Sequence, residues 1–351
     1  PREAKESWTI YLQKDPSSPW ADEARKNLAR IENAQARFNK TDDEVLSDFL
    51  TAFRNGQAER ARQIHNDTKG LLRASMVPLQ LSRSFLEAKQ RGDETRAKQS
   101  SDAMIYLREL DQEQNGDSFV SELAGFYERV HQDKVEPLLQ AKNAFTRGFK
   151  AIDEKNLKTA ILEFESSRNQ FAQLGNAGEA AIAESWAAQL LPDVGEVAQS
   201  RSRLSDVIAS AETSKFKILI PAAYYSLGMG DSRQNRLSES AKNLKTALHL
   251  AEAGNNNFEV QHALDALTLH YAGIGEFETA LFYAGKMLSG KADYYESISQ
   301  SRRDKGTLAF LSLKLKFFST SLSLAREHLS ITQQTETSPN TSRVNDSLRR
   351  M

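Results

Sequence analysis

The chain has 351 residues, 39% hydrophobic and 26% charged, with 46 Lys and Arg against 47 Asp and Glu and a formal net charge of -1. That balance argues against a dedicated nucleic-acid binder, and the apolar content exceeds that of a disordered chain. With no cysteine, disulfides, thiolate nucleophiles and cysteine-based zinc sites are excluded. No apolar run is long enough to cross a membrane and no signal-peptide core opens the chain, so a cytoplasmic protein without membrane contact is expected.

The opening stretch, residues 2–14, has helical spacing on an apolar side built from Ala4, Trp8, Ile10, Tyr11 and Leu12. Asp15-Pro16 ends it, since proline lacks an N–H and restricts its predecessor. A second helix follows through PWADEARKNLARI, with Pro19 and early acids suited to a first turn. Such an abrupt start predicts a missing upstream partner helix, so residues 1–35 read as the end of an upstream unit plus the following helix. Residues 43–136 read as irregular hairpins. One pairs 43–55 with 57–68 around Asn55-Gly56, another pairs 78–90 with 93–110 around Gly92, and Ala61 and Ala97 each lie five residues past the glycine. A break is expected at LDQEQNG, then one long helix over 118–136.

From Pro137 to Gly290 the chain repeats every 40 residues. Gly148, Ala188, Gly228 and Thr268 form one series; Leu157, Val197, Leu237 and Phe277 a second; Ala160, Ser200, Ser240 and Ala280 a third; Phe164, Leu204, Leu244 and Ala284 a fourth. Small residues at fixed places let two helix backbones approach, and large apolar ones fill the gap between them. First helices are predicted at 138–153, 178–191, 219–232 and 259–273, and second helices at 156–173, 196–211, 236–253 and 276–289. The turn slot holds Lys155, Gly195, Asn235 or Gly275. Glycine and asparagine suit a left-handed helix end, whereas Lys155 fits poorly and Asn156 is expected to take its role. Pro192 should end or kink its helix. Residues 291–332 read as a terminal hairpin (293–315 with 318–332), and 333–351 as a polar tail or linker.

On these residues the chain resembles the tetratricopeptide repeat family. The best copies run Leu227-Gly228, Asn235, Ser240, Leu244, Ala247 and Thr268, Tyr271, Gly275, Ala280, Ala284. Ala4, Trp8, Tyr11 and Pro16 match the family's second helix and closing proline. The repeat is 40 residues rather than the family's usual 34, and the array lacks that proline. Long hairpins of this kind, with the phrase WTIYLQKDPSSPWADEARKNLARI, resemble the repeat region that precedes a CHAT (caspase-like peptidase) domain in large bacterial signalling proteins. Without a cysteine the chain is not such a peptidase itself.

The resemblance implies an all-α, right-handed superhelical solenoid of antiparallel hairpins. It also implies a groove lined by first-helix side chains three before or one after the small position. Those are Phe145, Phe149, Ser185, Gln189, Tyr225, Met229, Asp265 and Leu269, with Arg233 and His262 one turn further along. The six histidines lack any HExxH-like spacing, so packing or surface roles are expected and no metal. Carboxylate pairs such as Glu163 and Glu165 suit helix ends, and Gly228-Met-Gly230 has no strand before it, so neither catalysis nor a cofactor is expected. The functional expectation is a non-enzymatic scaffold for a protein or peptide, including an effector domain of its own parent chain. The alternative is a small-molecule sensor domain of a signalling regulator, its pocket lined by Tyr225, Arg233 and His262.

Overall fold

The computed structural model describes residues 2–18, 20–28, 42–68, 70, 72–289 and 307. Among these the molecule is helical, without a strand, and its helices pack on their neighbours in sequence order. The amino-terminal part comprises α1 (Arg2–Lys14), α2 (residues 20–28), α3 (Asp42–Arg54), α4 (Ala58–Thr68), a π-helical stretch (Leu72–Leu81), α5 (Ser82–Gln90), α6 (Glu94–Asn115) and α7 (Phe119–Glu128). Four hairpins follow: α8 (Val135–Asp153) with α9 (Leu157–Gln173), α10 (Ala177–Leu190) with α11 (Val197–Ser214), α12 (Ile220–Arg233) with α13 (Leu237–Ala253), and α14 (Asn257–Gly273) with α15 (Phe277–Ser289). The terminal hairpin and the tail expected beyond residue 290 lie outside the described residues, Thr307 excepted.

The 40-residue register sets how closely the helices of a hairpin approach. A Cβ added at Gly148 would stand 2.7 Å from Phe164 Cε1, and one at Gly228 would stand 2.7 Å from Leu244 Cγ. Ala188 with Leu204, and Thr268 with Ala284, occupy the same paired positions, and all four are buried. The series trades volume across the pair: the largest first-helix residue, Thr268, stands opposite the smallest second-helix residue. Ser200 of the other small series donates its hydroxyl to the Ala188 carbonyl at 2.7 Å, which ties α11 to α10.

The turn slot is left-handed in every array hairpin, at φ 60° for Lys155, 92° for Gly195, 58° for Asn235 and 84° for Gly275. Lys155 takes the conformation that the sequence assigned to Asn156. Asn156 instead caps α9, its side chain accepting from Thr159 N, as Asn176 and Asn256 do for α10 and α14. A capping asparagine satisfies a helix-end N–H that has no partner within the helix, and an exposed lysine carries the modest steric cost of the turn. Pro192 ends α10 at Leu190 and opens a short 3-10 turn, Leu191–Val194.

Two expectations fail in the amino-terminal part. α6 runs to Asn115, through most of the expected break, and closes at left-handed Gly116. The single helix expected over 118–136 is α7 alone, followed by an irregular link and a 3-10 turn (Gln132–Lys134) before α8. The part also folds back along the array. Asp117 accepts at one carboxylate oxygen from Phe119 N and at the other from Ile218 N at 2.7 Å, and Ser118 N donates to Lys215 O. Gly70 lies so close to Asn256 that a Cβ there would meet its Oδ1 at 2.7 Å. One apolar core accordingly runs from Val45 to Leu227, and a second from Leu244 to Met287.

Gly228→Ala should lower stability by about 1–3 kcal/mol through overpacking against Leu244. Gly285→Ala, where an added Cβ meets nothing within 4 Å, should raise it by roughly 0.5–1 kcal/mol. Chemical denaturation followed by circular dichroism checks both, and equal effects would contradict the close approach at Gly228.

Candidate functional site

The ten residues singled out as groove-facing divide into three groups. Phe145 and Phe149 belong to the core: they are buried, and their rings meet each other, Phe164 of α9 and, for Phe149, Trp186 of α10. Their aromatic volume fills the junction between the first two hairpins, so the structure removes them as partner contacts. Ser185 is buried and accepts from the Gln189 amide on the same helix at 3.0 Å.

The second group gathers between α12 and α14. Tyr225 lies 5.8 Å from the His262 ring between centroids, and Phe258 meets the same ring at 4.3 Å. His262 Nδ1 stands 3.6 Å from Glu259 Oε2. Phe258 went unrecognised in the sequence because it sits outside the family's groove positions. Tyr225 and Met229 are half-buried one turn apart on α12, and Leu269 on α14 is exposed. Arg233, one turn past Met229, pairs with Asp193 at 3.1 Å, bridging α12 to the 3-10 turn after α10. The third group is Asp265 alone: it is buried and accepts a hydrogen bond from the hydroxyl of Thr307.

An ionic cluster that the sequence did not reveal lies beneath α7. Lys142 of α8 donates to Glu179 Oε1 of α10 at 2.5 Å, to Ser82 Oγ at 2.6 Å and to the Pro78 carbonyl at 2.9 Å. Glu179 also accepts at Oε2 from Tyr127 OH at 2.5 Å and from Asn176 Nδ2 at 2.6 Å. The Lys142 and Glu179 side chains are only 5% and 4% exposed. Burial pushes the Lys142 pKa down against the opposing pull of Glu179. Tyr127 is pushed well above its ordinary value by burial and then by the Glu179 charge, so it stays a donor.

Ser82 beside Lys142 has the composition of a serine–lysine nucleophile pair. Ser82 is fully buried, however, and its hydroxyl already serves Pro78, Lys142 and Glu179. The cluster therefore joins α5, α7, α8 and α10, and no face of it is open to a substrate. The signals that might have flagged it, a lysine and a glutamate 37 residues apart, are ordinary for a charged chain.

Two more charge networks cross successive hairpins. Arg203 of α11 donates to Glu184 of α10 at 2.6 and 2.8 Å and to Glu165 of α9 at 2.5 Å, and Arg168 of α9 donates to Glu184 at 2.7 Å. Fully buried Asp231 accepts from Arg201, Arg236 and Asn243, joining α11, α12 and α13. Among the described residues no three metal-ligating side chains converge. A hollow of about 550 Å³ opens on α13 between Lys242, Lys245 and His249, away from the first-helix face. No family model matches the chain, and no curated protein matches it.

Removing one member of the buried pair strands the other, so Lys142→Met should cost roughly 3–5 kcal/mol. Lys142→Met/Glu179→Leu should be less destabilised than the sum of its single changes, and additive losses in a denaturation cycle would contradict the coupling. For Glu184, burial raises the pKa, but hydrogen bonds from Arg203 and Arg168 together hold it below its ordinary 4.5. A lowered carboxylate pKa contributes stability above the unfolded value that is lost as pH falls through the folded one. Glu184→Gln should therefore flatten the loss of stability as the pH falls below the ordinary 4.5 of this carboxylate. An unchanged acid limb would show that the arginines do not hold the carboxylate.

Proposed function

We propose that the chain is a non-enzymatic protein-interaction scaffold of tetratricopeptide type, its hairpins stacked in a right-handed superhelix. Stacking with a constant small rotation produces a concave face suited to an extended partner. The observation that carries this reading is the placement of Tyr225, Met229 and Leu269. All three occupy the family's groove positions on adjacent first helices, and all keep part of their apolar surface in contact with solvent. Half-exposed aromatic and flexible apolar side chains on a rigid frame are the residue types that dominate protein interfaces. The partner is a protein or peptide, and the resemblance to repeat regions of bacterial signalling proteins makes an effector domain of the parent chain one such partner.

Arg233 adds a charge at the rim of this face while remaining paired to Asp193. A partner carboxylate there would compete with Asp193, so Arg233 contributes to selectivity more than to affinity.

Tyr225→Ala/Leu269→Ala should leave helicity and melting behaviour near those of the parent and weaken partner capture at least tenfold. Affinity purification from source-cell lysate, with quantitative mass spectrometry of both chains, checks this. Identical partner profiles from the two chains would contradict the assignment of this face.

A further inference from the structure

α7 stands outside the 40-residue register, yet it packs against the array through a regular stripe of side chains. Its sequence FVSELAGFYE places Phe119, Leu123 and Tyr127 one turn apart on one stripe, and all three are fully buried. Phe119 meets the Phe216 ring edge-on at 5.6 Å, at the start of α12. A Cβ at Gly178, in the first turn of α10, would stand 3.1 Å from Leu123 and 3.3 Å from Phe119. Tyr127 OH reaches Glu179 beside it. Ahead of the helix, the Asp117 carboxylate accepts Ile218 N, and Ser118 N donates to the Lys215 carbonyl.

The stripe therefore crosses from the start of α12 to the start of α10 and ends over Lys142 of α8. About 12 Å of helix rise separates Phe119 from Tyr127, enough to lie across successive first helices. An amphipathic helix reading a surface through anchors at every turn is a recurring recognition mode. The seat beneath it is polar where a plain core would be apolar: Glu179, Lys142, Asn176 and Ser82 are all buried there. Such groups contribute little net stability but fix one partner geometry. Both ends of α7 are irregular, at left-handed Gly116 and across residues 129–134, so its release needs no neighbouring helix to unwind, only the parting of Gln112 from Ser121, Arg108 from Glu128 and Phe85 from Tyr127.

We infer that α7 is an internal occupant of a helix-recognition seat formed by the starts of α10 and α12. The seat accepts an external amphipathic helix with an acidic residue followed by apolar anchors at the second, sixth and tenth positions after it. This deepens the interaction-scaffold reading and rests on it: a partner helix of that chemistry displaces α7, and the array's engagement is thereby regulated from within the chain.

Two measurements test it. In the unmodified protein, amide hydrogens of α7 should exchange at least tenfold faster than those of α9 through local opening; equal protection would make α7 permanent core and overturn the proposal. A labelled synthetic peptide of residues 117–130 should bind a Phe119→Ala/Leu123→Ala chain at least tenfold more tightly than the unmodified chain, and Gly178→Leu in that chain should abolish binding. Equal affinity for both chains, or none for either, overturns the proposal. If the double variant does not fold, the exchange measurement decides alone. Failure of lysate capture at Tyr225 and Leu269 would count against the scaffold reading while leaving both of these measurements standing.

Discussion

At Gly148, Gly178 and Gly228 a helix backbone comes so close to a neighbouring side chain that a methyl group would meet it at 2.7, 3.1 and 2.7 Å. Real Cβ atoms essentially never come as close as the first and third of these and seldom as close as the second, and close-packed interiors have little slack to absorb the difference. Two of these glycines set the spacing inside a hairpin, and the third sets how near α7 lies to the array. The hairpins, their stacking and the fold-back of the amino-terminal part all follow from those short approaches. Phe164, Leu244, Leu123 and Phe119 supply the complementary bulk.

The buried ionic groups do a different job. Lys142 and Glu179, Asp231 with its two arginines, and the Glu184–Arg203 ladder each join elements from successive hairpins. Burying charge is unfavourable unless each group is paired and hydrogen-bonded, and here the hydrogen-bonding groups of both Lys142 and Glu179 are extensively used. The return is register, since sliding one hairpin past the next would leave a charge without its partner. A repeat array whose apolar contacts are nearly equivalent along its length needs such markers to settle on one arrangement.

The array was largely legible in the chain because its constraint is periodic. Both boundaries of all eight array helices fell within about three residues of those observed, and the small-against-large pairing follows from two series sixteen residues apart. Lys155 was misread because propensity favours Asn156 in a left-handed turn, whereas capping α9 claims that asparagine first. The groove positions were carried by family pattern, which does not weigh volume: Phe145 and Phe149 have the bulk to fill the hairpin junction and so do. α7 and the Lys142–Glu179 cluster were not legible, because the contacts that define them join residues 37 to 101 apart with no repeat to reveal them. A ten-residue helix between two irregular links leaves almost the same sequence trace as the longer helix expected there.

The regulated scaffold has one structural premise, that α7 lies against the starts of the first helices α10 and α12. The measurement that tests this premise most directly is a nuclear Overhauser spectrum of the methyl-labelled protein, read at the Leu123 methyls. The account predicts a strong cross-peak to the Gly178 α-protons, comparable to that between the Leu244 methyls and the Gly228 α-protons within one hairpin. A spectrum that keeps the Leu244–Gly228 contact but lacks the one between Leu123 and Gly178 would contradict it.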